Sequence, residues 1–282
     1  MPFTPSHVAA VLPFGKTLLL PAALVIGSMA PDLFFYVPVP IGRNFTHSWQ
    51  AVLTVDLVFA IGLFVLWQLV FRTPLVDFAP LAARRRIAAM PWSGIRPLGM
   101  SWPRLVPLLV ASALVGTATH VIWDSFTHRD WVVDHLPALL MMWGPLPVYE
   151  WGQYFSSLFG AVVLVIWTIR WWRRTPPVDA AVTRVSPAIR VAVWVTVLGG
   201  GLIAALAIWI PEILKGQAPI FAALLFRTVT VGLEAAGLAC VLWCLAWWVL
   251  RPRLEPGFGG DDHAEADQDR TRHTVDDALD AR

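Results

Sequence analysis

Between Thr117 and His128 the chain reads TATHVIWDSFTH, which sets His120, Asp124 and His128 four residues apart inside a stretch otherwise fit to cross a lipid bilayer. At that spacing three side chains follow one face of a helix, turning slowly around it. Ionisable groups at membrane depth are costly, and they face a bundle interior or a water-filled cavity. Imidazole and carboxylate in register are donors that zinc, manganese and iron accept. The chemistry first expected is therefore a divalent metal, zinc foremost. Taken singly, each residue could do no more than hydrogen-bond a neighbouring helix, and His128 could sit among lipid headgroups. The triplet together points to a functional polar site.

Other parts of the chain offer matching donors. Residues 18–39 form an apolar run broken by Pro21 and by the Pro31 and Asp32 pair. Irregular backbone at membrane depth is tolerated where it is buried in protein or lines a cavity, and Pro31 turns Ala30 away from the helical region while leaving Asp32 free to project inward. Asp32 is expected as a ligand or, outside the ligand shell, as a general base; the plain alternative is a cap on the half-helix that follows it. His47 lies in the polar stretch RNFTHSWQ, and His7 follows Thr4 and Ser6, either of which can cap a short helix. Thr127 precedes His128. Tyr149, Gln153 and Ser156 share one face of a later helix and suit the orientation of ligands or the holding of substrate, or ordinary interhelical hydrogen bonds. Asp56, deeper in the second apolar run, is a supporting partner or a lone packing acid. His135 is expected to be solvated, Glu234 to be structural, and Cys240 and Cys244, one turn apart, to be packing residues.

The elements that must position these groups follow from composition. Of 282 residues 57% are hydrophobic and only 14% charged, with 16 tryptophans and a mean hydropathy of +0.63; soluble chains carry about a quarter charged residues. Several runs approach or exceed the ~20 apolar residues that a spanning helix needs, and tryptophans gather at their ends as an interfacial belt does. The expected fold is all-α, a polytopic membrane helix bundle of about six spans with the first broken or re-entrant. Arg72, Arg84, Arg85, Arg86, Arg96 and Arg104 mark one loop as cytoplasmic, and Arg170, Arg173, Arg174, Arg184 and Arg190 mark another. These arginines report orientation and not nucleic-acid binding. If residues 18–39 cross, both termini lie inside; if they re-enter, His7 and Asp32 return to one depth. The first residues lack the charged start and cleavage site of a secretory signal. Residues 1–253 are expected as the transmembrane domain, with the metal site in 1–160, and 254–282 as a disordered acidic cytoplasmic tail holding His263 and His273.

In order along the chain, MPFTPSH, APD, THS and THVIWDSFTHRD resemble a bacterial, largely actinobacterial, family of polytopic membrane proteins of unknown function. More distantly, the series is similar to inner-membrane proteins described as metal-dependent hydrolases, with an early His, a PD, a THS and an HxxxDxxT helix. That resemblance implies metal-site roles for His7, Asp32, His47, His120 and Asp124, with Thr127 in support. The chain departs from the distant pattern at Leu33, Phe34 and Phe35 after PD and at Asn44 and Phe45 before THS, which implies fewer ligands. No GxSxG elbow, Walker loop or dinucleotide fingerprint occurs, which disfavours nucleophilic-serine, NTPase and Rossmann chemistry. The expected function is a hydrolase of the bacterial inner membrane acting on a lipid or lipid-linked ester or phosphoester. A metal or proton transporter and a membrane scaffold with a structural metal are the alternatives.

Overall fold

The structure, a computed structural model, describes residues 4–36, 40–88, 101–178, 185–215 and 221–254. It is all-α apart from a two-stranded ribbon in which Met142–Trp143 pairs antiparallel with Leu146–Pro147, turned at Gly144 with φ 67°, a value that glycine adopts without a side-chain clash. Among the described residues, five helices are long and apolar enough to cross a membrane: Val55–Phe78, Trp102–Thr127, Val148–Arg174, Pro187–Leu214 and Arg227–Leu250. This is the architecture of a multi-pass membrane protein. Residues 89–100, with Arg96, and the expected acidic tail from 255 onward lie outside the described residues, as do Arg184 and residues 37–39.

Trp102–Thr127 is the central helix, and the N-terminal segment folds against it. His7 stacks on His120, and Leu18 shares a surface cleft with Arg104, Pro107 and Leu108, near the other end of that helix. From there the chain climbs back. The Leu20 amide donates to Ser112 Oγ at 2.8 Å, Gly27 meets Gly116, and Asp32 arrives beside His120. The N-terminal segment therefore forms a hairpin, with residues 4–18 as one arm and the first apolar run from Leu18 to Asp32 as the other. With five long helices among the described residues and this broken first segment folded back, the re-entrant form of the expected bundle is the one found. The reason is local: the Pro21–Gly27 and Ala30–Leu33 helices are too short to span, and each pairs with the central helix instead.

That pairing depends on two glycines. A Cβ on Gly116 would fall 2.5 Å from the Leu24 carbonyl oxygen and 2.8 Å from the Ser28 nitrogen, and one on Gly27 would fall 2.7 Å from the Ala113 carbonyl. Only bare backbone lets the hairpin and the central helix come this close.

The last two spans pack on each other where Gly201 and Gly232 face across the contact. They dock on the first span through a core of Phe78, Val193, Val197, Cys244 and Trp247. Cys244 is buried there as a packing residue. Indole nitrogens tie the seam: Trp194 donates to the Phe78 carbonyl, Trp247 to Asp77 Oδ2 and Trp248 to the Val70 carbonyl. The Val70 carbonyl lies in a wide helical turn at Trp67–Phe71. Several tryptophans that sequence assigns only to an interfacial belt thus also hold the two halves together. Outward faces carry large apolar residues such as Leu158, Phe159, Leu202 and Ile203, the surface expected against lipid.

Candidate metal centre

Each donor is aimed by a local feature of the backbone. Pro31 has no amide hydrogen, and the Asp32 and Leu33 amides both donate to Met29 O, so the Ser28 carbonyl is left without a helical partner. It turns to His120, whose Nδ1 donates to it at 2.7 Å. His47 closes the Arg43–Thr46 turn just before Ser48 caps the next helix by accepting from the Ala51 amide. Its Nδ1 lies 3.2 Å from the Arg43 carbonyl and 3.0 Å from Thr46 Oγ1. A carbonyl can only accept, so in both rings Nδ1 carries a proton, which leaves Nε2 as the nitrogen that takes either a second proton or a metal. Carbonyls that fix the outer nitrogen in this way are the usual support of metal-ligating histidines.

The two Nε2 atoms then face one another at 3.3 Å. His47 Nε2 is 3.2 Å from Asp32 Oδ1 and 3.1 Å from Asp124 Oδ2; His120 Nε2 is 3.3 and 3.6 Å from the same two atoms. Four donors from three separate stretches of chain thus converge, all buried, with ligand atoms within 4.8 Å of one another. Lone pairs and carboxylate oxygens crowded in this way repel unless a cation lies among them. A tetrahedral ion with arms of ~2.0–2.1 Å to nitrogen and oxygen spaces its donors about 3.3 Å apart, and these separations scatter around that value. Asp32 Oδ1 is moreover buried with no hydrogen bond of acceptable geometry among the described residues. The residues present fit a divalent metal with His47, His120, Asp32 and Asp124 as its holders.

Around this set lie the remaining groups. Thr4 Oγ1 donates to Asp32 Oδ2 at 2.8 Å. Arg43 Nη2 donates to Asp124 Oδ2 at 2.9 Å. His7 Nε2 and His128 Nδ1 each stand 3.3 Å from Asp124 Oδ1. The His7 ring stacks on His120 with centroids 3.9 Å apart, and its Nδ1 is buried without a partner among the described residues. Burial, reinforced by the neighbouring His120, pushes the His7 ring down to about 3, so it stays neutral. His47 shifts upward: burial opposes its charge, and hydrogen bonds to Asp124 and Asp32 outweigh that opposition. The two acids draw positive charge to the inner edge of the ring, the same demand that a metal meets.

One family model spans residues 1–249, described as a domain of unknown function, DUF4184. The chain belongs to the DUF4184 family. No curated protein and no solved structure matches it. The match runs over the hairpin, the metal-site residues and all five long helices of this DUF4184 chain.

Of the residues singled out from sequence, Asp32, His47, His120 and Asp124 form the cluster, and His7 and His128 touch it through Asp124. Asp32, considered also as a general base, stands among the ligand atoms. Gln153 reaches the cluster through His128, its Nε2 in close contact with His128 Nε2. Thr127 Oγ1 touches His128 Nδ1 at 3.2 Å and donates to the Trp123 carbonyl. Ser156 accepts from Trp123 Nε1 at 3.1 Å, so it braces a neighbour of the site. The Tyr149 hydroxyl donates to Glu150 at 3.1 Å. Asp56 is buried, with both oxygens lacking hydrogen-bond partners among the described residues. His135 is exposed, as expected of a loop residue.

Sequence reasoning missed Arg43 and gave Thr4 only a capping role. Arg43 stands four residues before His47, one helical turn away. Its place beside Asp124, 81 positions on, has no signature in the chain.

Proposed function

We propose that this DUF4184 protein is a metal-dependent membrane hydrolase acting on a lipid or lipid-linked ester or phosphoester. The observation that carries the reading is the pair of imidazoles whose outer nitrogens are bound to backbone carbonyls and whose inner nitrogens converge on two carboxylates. A divalent ion held there, most simply zinc, would supply Lewis acidity to an ester or phosphoryl oxygen. His7 stands beside the ligand shell with its Nδ1 unpartnered among the described residues, placed to accept a hydrogen bond from the attacking water and hold it in position. His128, fixed by Gln153, holds the far side of Asp124. With the arginine-bearing loops in the bacterial cytoplasm, the site lies in the outer half of the bilayer and the C-terminus is cytoplasmic.

A second reading has its own support. Four protein donors close a tetrahedral shell, which is the habit of structural zinc, and would make the protein a scaffold. Turnover separates the two. Zinc-loaded protein in nanodiscs, offered radiolabelled phospholipids and polyprenyl phosphates, is expected to release product. His7→Gln is expected to keep its zinc and lose about a hundredfold in rate, the usual cost of misplacing a reacting group. Zinc retained in the wild type without turnover of either substrate class would favour the scaffold.

A further inference from the structure

We infer that Arg43 is a phosphate-recognition residue, so that the group cleaved at this site is a phosphoester and not a carboxylic ester. The inference rests on the metal-hydrolase reading above and adds a substrate class to it.

Charge supplies the first argument. Two carboxylates and a divalent ion cancel, and the two imidazole ligands must be neutral to bind a metal. Arg43 then adds a positive charge that nothing else in the ligand shell balances. A charge at the edge of a buried cluster is stabilised by an opposite one, and an anionic substrate brings it.

Geometry supplies the second. The ligand side chains are between 0 and 2% exposed, whereas Arg43 is 24% exposed. A single nitrogen, Nη2, bonds to Asp124; the other guanidinium N–H groups make no bond among the described residues. His128, at 14% exposure, is the other partly open side chain on Asp124, so these two mark the mouth. A planar fork of donors at the mouth, anchored at one end to a ligand carboxylate, matches the paired oxygens of a phosphate. A neutral carboxylic ester has no use for it.

The test is calorimetric titration of zinc-loaded full-length protein, first with inorganic phosphate and then with dihexanoyl phosphatidylglycerol below its micellar concentration. Wild type is expected to bind at least one of the two, and which one binds separates free phosphate from a lipid headgroup as the source. Arg43→Ala should bind roughly ten- to a hundredfold more weakly, the loss of a charge-assisted hydrogen bond, and Arg43→Lys should recover part of it, both with zinc content unchanged. If neither probe binds, or if Arg43→Ala binds them as well as wild type does, phosphate recognition fails while the metal-hydrolase reading stands. If wild type takes up no zinc, both fall together.

Discussion

His120→Ala is expected to lower the zinc content of the purified protein from near one per chain to close to none, measured by elemental analysis after dialysis. His120 supplies one of only two neutral nitrogen donors in the cluster, and it does so fully buried. Its removal also leaves Asp32 and Asp124 facing each other with less compensating charge, and breaking up a buried charge set costs about 3–5 kcal/mol. Metal loss and a lowered midpoint of thermal unfolding should therefore appear together. Ile122→Ala, on the exposed side of the same helix, should change neither. A His120→Ala protein that keeps its helical circular dichroism and its full zinc content would show that the ion, if any, is held elsewhere.

Gly116→Val should have an effect of similar size although Gly116 touches no ligand atom. A Cβ there falls 2.5 Å from one backbone atom of the hairpin and 2.8 Å from another, and backbone cannot yield as a flexible side-chain tip does. The hairpin must shift, which carries the Ser28 carbonyl away from His120 and Asp32 out of the cluster. Overpacking of this kind costs about 1–3 kcal/mol or more, so the expected outcome is a lower unfolding midpoint with zinc lost as well. Gly62→Val is the control, because a Cβ at Gly62 meets nothing within 4 Å. If Gly116→Val keeps both zinc and stability, the hairpin does not position the site.

Much of the site was legible in the chain because its chemistry runs against its surroundings. An imidazole and a carboxylate four residues apart in an apolar helix, and an aspartate just after a proline in an apolar run, are expensive placements, and cost is visible in sequence. The supporting carbonyl can be traced to the same proline, since Pro31 leaves Ser28 without a partner. What the chain could not reveal is where the hairpin returns. Residues 18–39 are long enough to cross, and length is the property that apolar counting reads. Their course is decided by contacts with Ser112, Gly116 and His120 that lie more than 80 positions away. Arg43 was hidden for a related reason. An arginine in a short polar loop is indistinguishable from an orientation signal until the fold brings Asp124 beside it.

Zinc absorption spectroscopy on the purified wild-type protein tests the centre most directly, because it counts donors around the ion without reference to any reaction. The expected spectrum has a single shell of nitrogen and oxygen at ~2.0–2.1 Å, with the outer-ring scattering of two imidazoles. A shell at about 2.3 Å, the distance of sulfur, would assign the ion to Cys240 and Cys244 instead and contradict the account. So would a wild-type protein that retains no metal at all.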